Sequence, residues 1–447
     1  NRTNTFWEYS RDFWDYQNRS SFLMRQGMSV IDLCLYLGDN APVRILTHRL
    51  PVIPAGFDFD AFSTDALFTR MEVKEGRIVL PDGVSYQMMV LPRNGEITLE
   101  ALRKIASLVQ AGASVYGTRP QRSGTLHDLE HMVEYEELVN MMWGRNNTPQ
   151  GCSHYGKGTV YWGMSLTDAV SKAGMMPDVT VPEKRKFYYA HRTLWDGEIY
   201  FLDNHEDTPL AHTFIFRTSK RYAELWNPVT GKRYSLQSTL TADGRISVPL
   251  QMAARESYFV IFSDAQSTSQ LPVKEWNMQE KKTFIQGDWT VDFSEKLGGP
   301  GKVVFTALTD WTSHKDERIK YYSGTAVYRH NLMMDDKRSE SRYLLRFAKL
   351  ASIARIVLNG REVGTVWCSP WEIDITEALE TGENKLEIYV ANSLMNRMIG
   401  DSMLPEDQRI TYSATSIATP GMSLIPSGII GSVQLVRQMS ASNSSDK

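Results

Sequence analysis

The feature that most constrains the fold of this chain is a change of hydrophobic periodicity at Pro182. Before that residue, continuous apolar runs such as 30–37 and 86–92 alternate with amphipathic segments such as 99–112, which ends at a glycine. After it, apolar residues recur at every second position, which is typical of strands with one buried face. The sequence therefore predicts an α/β region that is followed by all-β regions.

The last third of the chain carries the richest string of motifs, and its short alternating strands predict a jelly roll. The motifs are GDWTVDF (287–293), LTDWT (308–312), IKYYSGTAVYR (319–329), IVLNGREVGTVW (356–367) and NRMIGD (396–401). Such a galactose-binding-like module is usually found attached to a glycoside hydrolase. The question that follows is whether the catalytic part lies in this chain.

The patterns divide the 447 residues into about three domains, as a prior of roughly 150 residues per domain also suggests. The strand and helix rhythm predicts a flavodoxin-like α/β domain, and turns at 196–197, 230–231 and 243–244 predict a β-sandwich after it. The predicted units are a first segment with an amphipathic helix at 1–27, the α/β domain at 28–182, the β-sandwich at 183–270, the jelly roll at 275–438 and a disordered polar tail at 439–447.

Composition excludes several classes of function. The formal net charge is −3, from 49 basic and 52 acidic residues, which gives no electrostatic footprint for nucleic acid. No apolar run approaches the ~18 residues that a membrane span needs. The three cysteines, Cys34, Cys152 and Cys368, have neither disulfide nor zinc spacing, so we expect no metal site.

The α/β region lacks the motifs of enzymes with a similar topology. The turn after the strand at 113–117 reads TRPQRSG and holds no nucleophilic cysteine, and the chain has no GxSxG elbow or glycine-rich phosphate loop. These absences favour a scaffold. Asp58 and Asp60 in the insert 48–65 are nevertheless candidate substrate-binding residues, because loops that follow strands reach the ligand-binding carboxyl edge. An ordinary solvated acidic loop is the alternative.

Two further groups of candidates lie in the jelly roll. Trp367 and Trp371 belong to a hairpin whose Asn-Gly turn suits type I′; they form either a sugar platform or a plug of the sandwich. Asn396, Arg397 and Asp401 suit hydrogen bonds to sugar hydroxyls or to a partner carboxylate. Alternatively, an Arg397–Asp401 pair merely holds a loop.

Trp7 and Glu8 are the candidates at the start of the chain. Glu8 is a carboxylate in an aromatic setting, but glycoside hydrolysis needs two carboxylates, and no convincing second one pairs with it. A glutamate in the first turn of a helix is the alternative interpretation. The catalytic residues are therefore unknown from the sequence, with Glu8 as a weak candidate.

The chain resembles the C-terminal half of glycoside hydrolase family 106, the α-L-rhamnosidases. Collinear motifs carry the resemblance: NRTNTFW (1–7), LMRQGMSVIDLCLYLGD (23–39), PAGFDFDAFSTDAL (54–67), LNGREVGTVW (358–367), NRMIGDSMLPEDQR (396–409) and PSGIIGSVQL (426–435). The chain departs from the family at Phe6-Trp7, where a Trp pair is usual, and at Leu394-Met395, where an aromatic is usual. Both departures weaken the inference of sugar contacts there.

The resemblance implies an inverting hydrolase of terminal α-L-rhamnose in plant polysaccharides such as pectic rhamnogalacturonans. It also implies a (β/α)₈ barrel before this region, with the acid and base glutamates in segments that have no match here. Residues 1–7 resemble the last strand and loop of that barrel. No cofactor is evident, calcium is an expectation from the family, and so is a periplasmic or secreted location.

We therefore expect an accessory part of a rhamnosidase-like enzyme that binds carbohydrate and supports a catalytic barrel outside this chain. Two alternatives stay open: a stand-alone carbohydrate-binding or assembly protein, and a hydrolase for another deoxy-sugar.

Overall fold

The computed structural model describes residues 4–39, 50–146, 148–183, 185–266, 270–276, 278–412 and 417–439. The predicted disordered tail, from residue 440 onward, lies outside the described residues, as do residues 48 and 49 of the acidic insert.

The chain starts with a 3-10 turn, Trp7–Tyr9, and a helix, α1 (Arg11–Met24), as the amphipathic pattern predicted. The short strand β1 (Met28–Ser29) follows the helix and pairs with Thr193 and Arg192 of the later β region. The Arg192 side chain reinforces this pairing by donating to the carbonyls of Gln26 and Gly27. The end of α1 is thereby tied to a region about 170 residues away in sequence.

An α/β region follows, and it confirms the predicted alternation of strands and helices. Its elements are β2 (Leu33–Tyr36), β3 (Phe59–Phe62), α2 (Thr64–Arg70), β4 (Glu72–Lys74), β5 (Arg77–Val79), β6 (Ser85–Tyr86), β7 (Met88–Val90), α3 (Leu99–Ala111), β8 (Ser114–Tyr116), α4 (Met132–Trp143), β9 (Gly151–Tyr155), β10 (Gly158–Trp162) and α5 (Leu166–Lys172). Helix α3 begins where the Thr98 hydroxyl accepts from the Ala101 amide and ends at Gly112, with φ of 130°.

The parallel strands of this region lie in the order β3-β2-β7-β8-β10, which is 2-1-3-4-5 along the chain. Helices α2, α3 and α4 pack near one face of the sheet and α5 near the other, so successive strand residues are buried on opposite sides. Strand β9 adds an antiparallel edge beside β10, and β4, β5 and β6 form a small separate sheet. The sequence analysis did not predict these four strands.

The next region consists of two antiparallel sheets that face each other. Its strands are β11 (Phe187–Thr193), β12 (Gly197–Asn204), β13 (Leu210–Phe216), β14 (Tyr222–Trp226), β15 (Arg233–Leu236), β16 (Thr239–Leu240), β17 (Ile246–Met252) and β18 (Ser257–Ser263). One sheet has the order β1-β11-β12-β18-β14-β15 and the other β13-β17-β16. The three predicted turns join β11 to β12, β14 to β15 and β16 to β17.

The last region is also a pair of sheets around one large apolar core. Its elements are β19 (Gln279–Phe284), β20 (Trp289–Phe293), β21 (Gly301–Phe305), α6 (Glu317–Lys320), β22 (Thr325–Met334), β23 (Arg342–Ala351), β24 (Ile353–Leu358), β25 (Arg361–Val366), β26 (Glu372–Asp374), β27 (Gly382–Ala391), α7 (Met395–Ser402) and β28 (Gly428–Met439). The sheets have the orders β19-β28-β23-β26 and β21-β20-β22-β27-β24-β25. The predicted Asn-Gly hairpin is confirmed, with positive φ at Asn359 and Gly360.

Candidate functional site

The first described residues pack against the last β region. Phe6 and Tyr9 join an apolar cluster with Ile353 of β24 and Ala391 of β27. The Thr5 hydroxyl donates to the backbone carbonyl of Asn392, which follows β27. The start of the chain is therefore fixed on the sheet that contains parts of three of the predicted motifs.

Five aromatic side chains cluster where this segment meets the hairpin. The rings of Phe13 and Tyr16, on α1, each lie 5.3 Å from that of Trp367. Trp14 contacts Phe13 at 5.2 Å and Trp7 at 6.3 Å. Trp7 and Trp14 are 56% and 47% exposed, so their rings are accessible to a ligand or partner. We call this cluster the aromatic face.

Hydrogen bonds orient the exposed ring of Trp14. The Trp14 indole Nε1 donates to the Ser10 hydroxyl at 3.1 Å, and that hydroxyl donates to the Trp7 carbonyl at 2.7 Å. An indole held in this way presents a flat apolar surface at little cost in side-chain entropy, and such a surface suits stacking against the apolar side of a sugar ring. Glu8 lies between Trp7 and Tyr9 and is solvent-exposed, which leaves it in the setting of a surface carboxylate.

Helix α1 contains no buried residue, although it carries four aromatic side chains. Its exposed residues recur at helical spacing, so they form one continuous side of the helix. That side includes Trp14 and Phe22, the latter 65% exposed, and is flanked by Arg11 and Arg25. The helix therefore presents an aromatic side that nothing in the described structure covers.

The polar candidates of α7 make their contacts within the protein. The Asn396 amide donates to the Ile425 carbonyl at 2.7 Å and accepts from the Ile425 amide at 2.8 Å. Arg397 Nε lies 2.9 Å from Asp401 Oδ1, and both side chains are buried. Asp401 also accepts from Thr411. This geometry agrees with the alternative interpretation, in which the Arg397–Asp401 pair holds a loop. Sugar contact by these residues stays a prediction.

The structure separates the two tryptophans of the hairpin. Trp367 supports the aromatic face, and its indole nitrogen is buried. Trp371 instead packs against the core of the last β region, and its carbonyl accepts from the Phe347 amide at 2.8 Å. The two indoles therefore do not form one platform, although a role of either in substrate binding is still untested.

The placement of Asp58 and Asp60 at the carboxyl edge is wrong. Asp58 immediately precedes β3, and its carbonyl accepts from the amide of Leu33, the first residue of β2. Both carboxylates therefore lie toward the amino ends of the strands. Because β2 and β3 are parallel, the chain returns from the carboxyl end of β2 to the amino end of β3 before it reaches these residues. Asp60 lies within β3 and accepts from the Tyr86 hydroxyl at 2.9 Å.

Beside Asp58 lies a buried set of charges that sequence reasoning missed, which we call the junction network. Arg217, just after β13, contacts Asp32 at 2.9 Å and Asp178 at 3.2 Å. Asp178 also contacts His191 Nδ1 at 3.0 Å, and both Asp32 and Asp178 are 1% exposed. No sequence motif predicts this network, because Asp32 and Arg217 are 185 residues apart.

Burial and neighbouring charges shift the protonation of two groups in this region. Burial, with added repulsion from Asp60, Asp178 and Asp32, raises the pKa of Asp58 to about 6. Burial lowers the pKa of His191, but hydrogen bonding to Asp178 and Glu198 outweighs it, and the pKa is raised overall. The network can therefore hold a buried imidazolium against carboxylates.

Two general properties bear on function. Over the ranges that the structure describes, no three His, Cys, Asp or Glu side chains are grouped so that they could hold a metal ion. The calcium expected from the family stays a prediction. None of the described helices is long and apolar enough to cross a membrane.

Comparison with known proteins identifies the relatives of this chain. Residues 1–239 match the family model of alpha-L-rhamnosidases, and residues 307–414 match a galactose-binding-like domain of glycosyl hydrolases. The solved rhamnosidase from Novosphingobium sp. PP1Y is 30% identical with a TM-score of 0.79, covering 98% of this chain and 42% of that one. The fold of the whole described chain is thus that of a part of this enzyme.

A curated relative is more distant. A putative beta-glucuronidase of Formosa agariphila is 23% identical, over 91% of this chain and 53% of its own length. The chain thus spans about half the length of the proteins that it matches. Because the family model covers more than half of its residues, the chain belongs to the alpha-L-rhamnosidase family, glycoside hydrolase family 106.

Proposed function

We propose that this chain is the accessory, C-terminal part of a glycoside hydrolase that releases terminal α-L-rhamnose from plant polysaccharide. Membership of the family supports the activity, and the coverage of about half of each relative supports the accessory role. The single observation that carries the proposal is the uncovered aromatic side of α1. Burying such a surface against a further domain would stabilise the assembly by about 25 cal/mol for each Å² of apolar area.

We propose in addition that the α/β region is flavodoxin-like. Its parallel strand order, 2-1-3-4-5, is the order of that class of doubly wound sheets. In this proposal the α/β region acts as a scaffold. The aromatic face lies next to the catalytic part and contacts the sugar. Trp7 stacks on the substrate, Trp14 and Trp367 support the aromatic face, and Glu8 accepts hydrogen bonds from hydroxyl groups at the rim.

The experiment is an assay of two proteins on an aryl α-L-rhamnoside: this chain alone, and this chain preceded by the upstream part of its source protein. We expect turnover only in the longer protein, because the positioned acid and base lie outside this chain. In the longer protein, Trp7→Ala is expected to raise KM about tenfold for a polysaccharide substrate, and Trp195→Ala, an exposed tryptophan elsewhere, to leave KM unchanged.

Activity of the chain alone would contradict the proposal. If the chain alone hydrolysed the rhamnoside and Glu8→Gln abolished that activity, the accessory role would be refuted and Glu8 would be catalytic. Turnover of an aryl fucoside but not of the rhamnoside by the longer protein would instead support a hydrolase for another deoxy-sugar.

A stand-alone carbohydrate-binding protein is the second candidate. Two observations favour it: the exposed pair Trp7 and Trp14, and the match of residues 307–414 to a galactose-binding-like domain. It predicts that this chain alone binds rhamnose-containing oligosaccharides, with quenching of tryptophan fluorescence that Trp7→Ala abolishes. A periplasmic or secreted location remains part of both proposals, and cell fractionation of the source organism tests it.

A further inference from the structure

A large cavity in the α/β region is lined by residues other than those of the aromatic face. It has a volume of about 1030 Å³. Its floor is formed by the last residues of three neighbouring parallel strands: Val90, Tyr116 and Trp162. The cavity therefore opens at the carboxyl edge of the sheet, which is where open α/β sheets bind ligands.

The cavity has an excess of positive charge. Its charged lining residues among those described are Arg93, Arg119 and Glu136, which is two cations against one carboxylate. Each arginine stands three residues after its strand, Arg93 after β7 and Arg119 after β8. Arg93 is exposed, and its guanidinium opposes the rise that burial causes in the pKa of Tyr116. Arg93 therefore lies near the strand ends that form the floor.

Hydrogen bonds within the protein fix several side chains that line the cavity. Arg119 donates to the Gly144 carbonyl at 2.5 Å and to Asn140 Oδ1 at 2.6 Å. The Tyr116 hydroxyl donates to the Met164 carbonyl, and the Trp162 indole donates to the Thr148 carbonyl. A pre-formed wall lowers the entropy that binding would otherwise cost. Arg119 still has guanidinium donors beyond the two in these bonds.

We infer that this cavity binds a sugar carboxylate, such as a hexuronic acid. A guanidinium matches a carboxylate in shape and forms paired, charge-assisted hydrogen bonds with it. The exposed side chains of Thr118 and Gln121 supply partners for ring hydroxyls. The volume of about 1030 Å³ is at the upper limit of pockets for small organic ligands, roughly 300–1,000 Å³, so a sugar acid fits with room for water. The inference does not depend on the rhamnosidase activity.

A phosphate-bearing ligand is less well matched by the same residues. Phosphate sites at this edge usually use a glycine-rich turn whose backbone amides surround the phosphate. The turn after β8 is Thr118-Arg119-Pro120, in which proline has no amide hydrogen to donate. We therefore assign the carboxylate rather than the phosphate as the anion.

Isothermal titration of the 447-residue chain with three probes tests the inference: D-glucuronate, D-glucose and D-glucose 6-phosphate. Glucuronate is expected to bind at least tenfold more tightly than glucose, which differs at the carboxylate, and more tightly than the phosphate. Its affinity is expected to fall as salt is added, because the charges are partly exposed. Equal binding of glucuronate and glucose, tighter binding of the phosphate, or no binding at all would overturn the inference.

Variants connect the binding to this cavity. Arg93→Gln is expected to weaken glucuronate binding about tenfold, the usual effect of losing one charge-assisted hydrogen bond. Thr118→Glu, which places a negative charge in the cavity, is expected to abolish it. The control is Arg122→Gln, an exposed arginine that pairs with Glu96 and does not line the cavity. Equal affinity of all three variants would place the ligand elsewhere.

Discussion

The aromatic face and the junction network both hold together segments that are distant in sequence, but they do so by opposite chemistry. The aromatic face joins α1 to the hairpin at Trp367 through ring contacts, and it leaves Trp7 and Trp14 about half exposed. The junction network joins the α/β region to the first pair of β sheets through Asp32 and Arg217, and it is almost entirely buried.

The difference in burial indicates which of the two regions can contact other molecules. Buried charges are stable only when each has a partner, so the junction network commits its groups to one another. Apolar rings have no such requirement, and they tolerate partial exposure at a modest cost. The groups of the junction network are therefore committed to one another, whereas the aromatic face can still contact other molecules, and removing single groups should affect the two regions very differently.

The largest effect is expected from Arg217→Met, which removes the cation that contacts both Asp32 and Asp178. Two buried carboxylates then lose the Arg217 guanidinium, although Asp178 keeps His191 as a partner, and breaking a buried pair in this way costs about 3–5 kcal/mol. Urea unfolding followed by circular dichroism measures the loss. Arg255→Met removes an exposed pair with Asp207 and is expected to cost less than about 1 kcal/mol. Similar losses for both variants would contradict the conclusion that burial makes the junction network more costly to break than a surface ion pair.

Local sequence patterns predicted the elements that are fixed by local physics. The helix over 99–112 could be placed because its apolar stripe and terminal glycine are neighbours in sequence. The Asn359-Gly360 turn could be placed because few residues tolerate two successive positive φ values. The strand β9 was missed because its residues, GCSHY, have little apolar alternation and it pairs only at an edge.

Long-range contacts could not be predicted from the sequence. The junction network assembles from residues in four separate stretches of the chain, with no spacing that distinguishes them from surface charges. Asp58 and Asp60 were placed at the wrong edge because the sequence does not show where the insert crosses back over the sheet. The aromatic face was only half predicted: Trp7 and Trp367 were candidates, but their connection through Phe13 depends on tertiary packing.

The next largest effect is expected from Trp367→Ala, which removes the indole that supports the aromatic face. The ring packs against Phe13 and Tyr16, so its loss leaves a cavity and is expected to cost about 2–3 kcal/mol, somewhat below the range for fully buried tryptophans. The matched control is Trp195→Ala, because Trp195 is 95% exposed in a turn and should change stability by less than about 0.5 kcal/mol. Thermal unfolding of both variants under the same conditions decides the point.

A smaller, pH-dependent effect is expected from Asp58→Asn, next to the junction network. Because the pKa of Asp58 is raised to about 6 in the folded state, its charged form is destabilising. Asparagine should therefore stabilise the protein by about 1–2 kcal/mol at pH 7.5, a gain that shrinks below pH 6 and is lost near pH 4. Urea unfolding at both ends of this range measures the difference. A gain that is constant with pH, or equal to that of the exposed Asp196→Asn, would exclude this explanation.

The smallest effect on the chain alone is expected from Trp14→Ala, about 0.5–1 kcal/mol, because the ring is already 47% exposed. The same substitution in a longer protein that includes the upstream part tests whether a further domain packs on α1. If a further domain covers the aromatic side of α1, the cost there should rise to about 2–3 kcal/mol, since the ring is then buried on both sides. Asn18→Ala, on the same exposed side but with little apolar area, serves as the control. An equal, small cost of Trp14→Ala in both proteins would mean that the upstream part does not pack on α1, and the aromatic face would then be reserved for sugar.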